Sequence, residues 1–167
     1  MLSISISNVE SGTLEIRGKR FSIQLNNCKL DTILFENCTI FAYKSMKLGK
    51  LITDNTSLLW QECDNEIAGI FASNSYVSIN RPNPSEISAV NSTVLLNHGQ
   101  FKTSEYATPV YIMNSYLLAN RLTEHPDSVN TYYAYRLWYN STLAFEFSND
   151  SVFGSGVKEA HPSSAVS

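Results

Sequence analysis

Two carboxylates, Glu36 and Asp54, are the first candidates for acid–base chemistry, because they occupy equivalent places in a repeated string. Each directly precedes an Asn that is followed by a small residue and, three positions after the Asn, by an aliphatic one. If the strings lie in successive coils of a stacked fold, the two side chains are about 4.8 Å apart. Two carboxyl groups roughly 5–10 Å apart can cleave a glycosidic bond. The alternative is that both are simply solvated on the outer surface.

A second titratable group, Glu124, His125 and Asp127, lies in the longest stretch without a strand pattern. A carboxylate beside an imidazole can transfer protons, although Pro126 interrupts the group and charges on loops are commonly only solvated. The three His residues are widely separated, and neither His nor Cys shows the spacing of a metal site. We therefore expect no metal and no cofactor.

The segment 132–139 is the richest in aromatic residues, and strand alternation would expose some of them whichever way the strand faces. Flat aromatic faces bind sugars or partner proteins, and the alternative is that they pack in the core or in a subunit interface. The residues expected to form a binding surface here and on the long loops are Tyr106, Arg121, His125, Tyr133, Tyr135, Trp138 and Tyr139.

Charge is sparse, at 16% of the residues with a net charge of −3, and Lys and Arg do not cluster. This argues against a nucleic-acid interface. Residues 1–6 have neither the basic start nor the sustained apolar run of a signal peptide, and no stretch is long enough to span a membrane. Three Cys without an export signal predict folding in a reducing compartment. Cys28 and Cys38 each follow an Asn and are expected as small buried residues.

The elements that must position these side chains are indicated by a string that recurs around Asn. In every copy the next residue is small, the third residue after the Asn is aliphatic, and residues alternate on both sides of it. The Asn residues concerned are Asn37, Asn55, Asn74, Asn91, Asn114 and Asn140. Period-two alternation on both sides predicts strand, corner, strand. Asn suits a sharp corner because it tolerates left-handed backbone.

The spacings between these Asn residues are 18, 19, 17, 23 and 26 residues. A period near 20 residues is typical of repeat architectures in which each unit stacks on its neighbour. The prediction is an all-β, single-domain parallel β-helix with about 17–26 residues per coil and Asn-containing corners. An antiparallel sandwich with Asn-Ser turns would also explain the alternation, but not why one string recurs in one phase.

The repeat predicts three parts of the chain. Asn27 lies only ten residues before Asn37, so one of the two must occupy a different corner. We expect an irregular first coil or cap over 1–32, the β-helix over 33–147, and an irregular tail over 148–167.

Loops are predicted where the alternation fails. Pro82 and Pro84 indicate that the chain leaves the sheet near residues 80–85, because proline cannot donate a ladder hydrogen bond. Longer insertions follow over 97–108 and 120–131. In repeat proteins such insertions usually line one face, often the binding face.

Over residues 33–146, the Asn-small-x-aliphatic corners resemble those of right-handed parallel β-helix proteins of the pectate-lyase-like class. That class includes polysaccharide lyases, glycoside hydrolases, and spike and fibre proteins of bacteriophage tails. The short chain, its Tyr, Asn and Ser content and its few glycines look most like a small phage virion appendage. The resemblance implies a homotrimer.

These expectations combine into a non-enzymatic structural or attachment protein of a virion, made in the host cytoplasm. It would associate as a homo-oligomer or with other virion proteins and contact a cell-surface glycan, without nucleic acid and without membrane insertion. One alternative is a polysaccharide-degrading enzyme using Glu36 and Asp54, or Glu124 and Asp127. Another is a self-polymerising scaffold resembling the bacterial bactofilins. Lyase chemistry in this class needs clustered basic residues, whereas the Arg and Lys of this chain are isolated in sequence.

Overall fold

The chain winds as a β-solenoid of about eight turns. The computed structural model describes residues 1–43, 46–61, 65–103, 109–129 and 133–167. Every pairing between described strands is parallel, and successive strands alternate between two large sheets. The predicted parallel β-helix is confirmed. The antiparallel sandwich is wrong, because no hairpin joins consecutive strands in the described ranges.

The strands form two large sheets and one small one. Sheet A contains, in spatial order, β1 (Leu2–Ser7), β3 (Arg20–Asn26), β5 (Thr39–Tyr43), β7 (Ser57–Gln61), β9 (Tyr76–Asn80), β11 (Thr93–Asn97), β14 (Tyr116–Asn120), β17 (Thr142–Glu146) and β19 (Ala165–Val166). Sheet B contains β2 (Thr13–Arg17), β4 (Cys28–Glu36), β6 (Met46–Asp54), β8 (Asn65–Ser73), β10 (Pro82–Val90), β13 (Val110–Met113), β16 (Tyr133–Trp138) and β18 (Val157–Ala160). The small sheet pairs β12 (Gln100–Phe101) with β15 (Thr123–Glu124).

The core is a set of interior columns. In β7, Leu58 and Trp60 point inward and are fully buried, whereas the residues between and beside them face outward. Parallel pairing stacks residues of the same position, so that Trp60 lies between Ala42 and Ile79 of the neighbouring coils. The period-two pattern therefore becomes continuous apolar ladders inside the coil.

The coil has a third side, because the long strands of sheet B bend near their third or fourth residue. Pairing between β4 and β6 is interrupted at Asp31 and Gly49, and pairing between β8 and β10 at Ala68 and Ser85. We call this bend the third corner. The residues of each sheet B strand that precede the third corner form the third side of the solenoid, together with β12 and β15. The link between β10 and β12 is a hydrogen bond from the Gln100 N–H to the Asn83 side chain at 3.0 Å.

The prediction that Pro82 and Pro84 leave the sheet is wrong. Both lie in β10, buried and paired with β8. Their rings point into the core, and the carbonyl of Pro84 still accepts the Lys102 N–H at 3.1 Å. The missing N–H groups do not prevent the coil from stacking there.

Both ends of the chain join the same sheets. Residues 2–32 contribute β1 to β3 and the start of β4, and residues 148–167 contribute β18, β19 and a 3-10 helix, Asp150–Phe153. The helix buries Phe153, whose ring meets Phe101 edge-to-face with centroids 4.8 Å apart. Aromatic side chains therefore close the core near its C-terminal end.

The corner from sheet B to sheet A carries the recurrent Asn. All six of these Asn residues have left-handed backbone, with φ between 45° and 55°. Their side-chain amides link neighbouring coils: Asn114 donates to Asn91 at 2.9 Å, and Asn91 donates to Asn74 at 3.3 Å. Asn27 occupies the opposite corner, from sheet A to sheet B, where it donates to Asn8 at 3.1 Å.

The small residue after each Asn belongs to a buried column of hydroxyls. The backbone N–H of Ser75 donates to the Oγ of Ser92 at 3.0 Å, and that Oγ donates to the Val90 carbonyl at 2.7 Å. The same pair of bonds recurs along Thr56, Ser75, Ser92, Ser115 and Ser141. At Cys38 a buried thiol takes this place, and burial raises its pKa. The column satisfies backbone groups that the corner removes from the sheets.

Replacing Asn91 by Ala is expected to cost about 2 kcal/mol of unfolding free energy, because left-handed backbone is unfavourable for Ala and two amide bonds are lost. Asn91→Gly keeps the backbone freedom and loses only the amide bonds, so it should cost about half as much. Urea denaturation measures both values. Equal stability of Asn91→Ala and the parent protein would contradict the structural role of the corner.

Candidate functional site

Glu36 and Asp54 are neighbours on the outer surface of sheet B, as cross-strand partners of β4 and β6. Glu36 binds Arg17 at 2.9 Å and accepts a hydrogen bond from Asn37 at 3.3 Å. Asp54 accepts one from Asn74 at 3.5 Å. Neither carboxylate lines either of the two clefts described below. Glu36 therefore serves in an ion pair, and both carboxylates accept hydrogen bonds from corner Asn residues.

Glu124 and Asp127 have different surroundings. Glu124 is exposed on β15, whereas Asp127 Oδ2 lies 3.4 Å from Lys102 Nζ and 3.8 Å from His125 Nδ1. His125 Nδ1 accepts the backbone N–H of Asp127 at 3.1 Å, which holds the turn. These contacts order the loop next to a groove.

Much of the aromatic strand β16 faces the protein itself. Tyr135 points into the core, and burial, reinforced by the nearby Asp150 carboxylate, raises the pKa of its hydroxyl. Tyr133 carries the Arg136 guanidinium 4.0 Å from its ring centre. Arg136 Nε in turn binds Glu159 at 2.7 Å, and this hydrogen bond raises the Arg136 pKa. A bulge between Tyr133 and Tyr135 explains why strict alternation fails here.

The end of this strand is more accessible. Trp138 is half-buried, and its Nε1 has no hydrogen-bond partner among the described residues. Tyr139 is 51% exposed and packs on His161 with ring centroids 4.8 Å apart. Tyr106 lies outside the described residues, so its predicted role stays a prediction.

A groove of about 620 Å³ follows the third corner. Its floor is made of small residues, and a Cβ on Gly49 would come 2.4 Å from the carbonyl oxygen of Asp31. From the later coils, Lys102, His125 and Asp127 line the groove. The charged residues that line it from the earlier coils are Lys29, Asp31 and Lys47. Of the residues predicted to bind or to catalyse, His125 and Asp127 lie in this groove.

A second cleft, of about 370 Å³, runs along the corner between sheet A and the third side. Its rim is a column of basic residues from three successive coils, Arg81, His98 and Arg121. The coils are in direct contact, since the backbone N–H of Arg81 donates to Asn97 and that of His98 to Asn120. Amide and hydroxyl side chains complete the lining, from Asn83, Gln100 and Thr123. We call this the cationic cleft.

The basic residues of the cationic cleft all have left-handed backbone, with φ of 59°, 56° and 53°. Such backbone costs an ordinary residue about 1–2 kcal/mol, and Asn tolerates it better. The first coils use Asn8 and Asn27 at the same corner. Sequence reasoning missed this column although a signal is present. Arg81, His98 and Arg121 each follow an Asn directly, and each lies seven residues after a recurrent corner Asn, at Asn74, Asn91 and Asn114.

The outward residues of sheet A are uncharged over five consecutive coils, and the one cation recorded over them among the described residues is Arg20 of the preceding coil, 5.3 Å from the Phe41 ring centre. Strands β5, β7, β9, β11 and β14 each direct three residues outward, and none of these is Asp, Glu, Lys or Arg. Phe41, Leu59, Leu95 and Leu118 occupy the middle of the face, and Tyr43, Tyr76 and Tyr116 its margins. Sheet B, by contrast, shows Lys50, Asp54 and Glu86 outward.

Among the residues that the structure describes, no three His, Cys, Asp or Glu side chains converge as a metal ion would require. No helix in the described ranges combines the length and apolar character needed to cross a membrane. Comparison of the chain with protein-family models, with curated proteins and with solved structures finds no match.

Proposed function

We propose that the chain is a non-enzymatic structural and attachment subunit of a virion appendage. It is a rigid β-solenoid that associates with copies of itself, or with other virion proteins, through the outer face of sheet A. Its third side and cationic cleft then remain turned towards a ligand such as a cell-surface glycan. The observation that carries the proposal is the absence of charge from the outward residues of β5, β7, β9, β11 and β14.

The composition of this face is that of the centre of a protein interface, where charged residues are depleted and Tyr is enriched. Phe41, Leu59, Leu95 and Leu118 remain partly accessible although they are apolar. Five coils at about 4.8 Å per strand extend this face over roughly 20–25 Å. Strands of five residues are about 17 Å long, so the face covers roughly 400 Å². That is about half of the ~800 Å² per partner that a standard interface buries, and the flanking corners must supply the rest.

The virion setting is supported by composition, since the Tyr, Asn and Ser content and the few glycines look most like a small phage appendage. The Asn corners resemble those of the wider β-helix class and support only the fold. The proposal that the chain is not an enzyme is supported by two ion pairs that occupy candidate catalytic carboxylates. Glu36 pairs with Arg17, and Asp127 pairs with Lys102. A solenoid also suits rigid display, because each coil is held by both neighbours through two continuous parallel sheets.

The test places two charges on the face and compares them with two charges elsewhere. Leu95 and Leu118 are cross-strand neighbours on sheet A, and Ser88 and Tyr111 are cross-strand neighbours on sheet B. Leu95→Lys with Leu118→Lys should convert the oligomer into monomers in sedimentation velocity. Ser88→Lys with Tyr111→Lys introduces the same charges in the matching strands and should leave the oligomer intact. An oligomer that survives the first pair of substitutions, or that is lost equally with both, would refute the interface.

A further inference from the structure

We propose that two His-Pro-x-Ser turns make the last coils of the solenoid sensitive to acid, because each turn is closed by a neutral imidazole and opens when that imidazole is protonated. The turns are 125–128, which we call the loop turn, and 161–164, which we call the cap turn. The string occurs nowhere else in the chain. The inference concerns the fold of a single chain and does not rest on the proposed association.

The loop turn is closed by its own backbone and tied to the preceding coil. The Ser128 N–H donates to the His125 carbonyl at 2.9 Å, and the His125 N–H donates to the Phe101 carbonyl at 2.9 Å. The Ser128 hydroxyl also donates to the Phe101 carbonyl at 3.1 Å, and it accepts the Thr103 N–H at 3.1 Å. The imidazole completes the turn, since His125 Nδ1 accepts the Asp127 N–H at 3.1 Å.

The cap turn repeats this arrangement in the following coil. The Ser164 N–H donates to the His161 carbonyl at 2.8 Å, and the Ser164 hydroxyl accepts the Ser141 N–H at 3.1 Å. His161 Nδ1 accepts the Ser163 N–H at 3.2 Å and lies 2.9 Å from the Ser163 hydroxyl. That hydroxyl accepts the Asn140 N–H at 2.9 Å, so its own proton is available to Nδ1.

These contacts assign the imidazole protons in both turns. A neutral imidazole has one donor and one acceptor nitrogen, whereas a protonated imidazole has two donors and no acceptor. Because Nδ1 accepts a backbone N–H, each ring is neutral and carries its proton on Nε2.

Protonation would turn each acceptor into a donor. The new N–H would face a backbone nitrogen at 3.1 Å in the loop turn and at 3.2 Å in the cap turn. The closed turn therefore favours the neutral ring, and acid favours the open turn. Since imidazole changes its charge between about pH 5 and 8, both turns respond within that range.

The charged groups around His125 favour opening of the loop turn. The Asp127 carboxylate lies 3.8 Å from Nδ1 and also pairs with Lys102 at 3.4 Å. The other charged groups on adjoining elements are Glu124 of β15 and Asp150 of the 3-10 helix that packs on β15. A protonated ring can turn from the Asp127 N–H to the Asp127 carboxylate, which exchanges the closed turn for an ion pair.

The surroundings of His161 offer no such exchange. Its ring packs on Tyr139 with centroids 4.8 Å apart, and no carboxylate of the described residues lies within ion-pair distance of it. The charged residues of the adjoining strands are already engaged. Arg136 binds Glu159 at 2.7 Å, and Lys158 binds the 3-10 helix. Protonation of His161 therefore removes an acceptor without supplying a carboxylate partner.

Opening of the cap turn would loosen the end of sheet A. The strand β19 is two residues long and lies at the edge of the sheet, where it pairs with β17. Its bonds begin directly after the turn, from the Ala165 N–H to the Ser141 carbonyl at 2.9 Å and from the Ser167 N–H to the Leu143 carbonyl at 3.0 Å. Release of β19 would leave β17 as an open edge, to which another strand can pair.

The test begins with nitrogen-15 NMR of the imidazoles in the full chain at about pH 7.5, where we expect the Nε2–H form for His125 and His161. Amide hydrogen exchange is then compared at about pH 7.5 and about pH 5, after correction for the intrinsic effect of pH. Protection of the N–H groups of Ser128, Ala165 and Ser167 should fall about fivefold to tenfold in acid, the effect of losing one hydrogen bond.

The decisive variant is His125→Asn with His161→Asn. An Asn side chain accepts the backbone N–H two residues further on, as the imidazole does, but it does not titrate. Its protection should agree within about twofold at the two pH values. The matched control is His98→Asn, which removes the third His from a left-handed position that Asn tolerates. The control should respond to acid as the parent protein does.

An Nδ1–H form of either ring at neutral pH would overturn the proposal, as would equal protection of the parent protein at the two pH values. An acid response that persists in the variant with both Asn substitutions would also overturn it, because other groups would then be responsible. Sedimentation at neutral pH keeps this result separate from the proposed function. A monomeric parent that still responds to acid would refute the association and retain the two turns.

Discussion

Replacing Trp60 by Ala is expected to lower the free energy of unfolding by about 3–5 kcal/mol. Trp60 is fully buried and is among the largest interior side chains of the described residues. It lies between Ala42 and Ile79 in the same interior column, so the small residue of one coil makes room for the large one of the next. Since these neighbours are fixed by parallel pairing on both sides, the cavity cannot collapse far.

Urea denaturation with a two-state fit measures this loss as a shift of the midpoint. Leu59→Ala is the matched control, because Leu59 precedes Trp60 on the same strand and faces outward, partly exposed. It should cost less than about 1 kcal/mol when both variants are measured in the Leu95→Lys, Leu118→Lys background, where the association through sheet A is removed. Comparable losses for the two variants would mean that β7 does not face the core as described.

Replacing Gly99 by Ala is expected to cost about 3 kcal/mol, at the upper end of what overpacking usually costs. A Cβ on Gly99 would come 1.9 Å from the carbonyl oxygen of Pro82 in the preceding coil. That oxygen belongs to the backbone of β10 and cannot move without displacing the coil. Gly99 also lies between His98 and Gln100, so the same displacement should distort the cationic cleft.

The control for this prediction is Gly69→Ala. A Cβ there would come 2.5 Å from a ring atom of Phe71, which is a partly exposed side chain that can rotate. We expect a change of less than about 1 kcal/mol, because the neighbour can give way. Thermal melting of the two variants distinguishes them. A Gly99→Ala protein as stable as Gly69→Ala would contradict the close approach of the two coils at Pro82.

The Asn corners could be predicted from sequence because their signal is local. An Asn with left-handed backbone, a small neighbour whose hydroxyl bridges two coils, and an inward aliphatic residue all lie within four positions. The prediction for Pro82 and Pro84 is wrong because a missing N–H group does not by itself break a parallel strand. The structure keeps Pro82 and Pro84 in the strand by pointing their rings inward.

The candidate site was less predictable because solenoid sites are assembled from different coils. Arg121 and His125 are predicted as binding residues, but Arg81 and His98 are not, although Arg81, His98 and Arg121 each lie seven positions after a recurrent Asn. The three residues align because the coils differ in length only outside this seven-residue span. The uncharged outer face of sheet A is also difficult to recognise in the sequence. Its residues come from five separate strands, and in each strand they alternate with core residues.

The most direct test of the central claim, that copies of this solenoid associate with one another, is the solution mass of the parent protein by multi-angle light scattering over a range of concentrations. The prediction is an oligomer, with three times the 18.7 kDa chain mass as the resemblance to phage appendages implies. A mass of 18.7 kDa at every concentration up to about 100 μM, far above the usual range of specific interfaces, would contradict it.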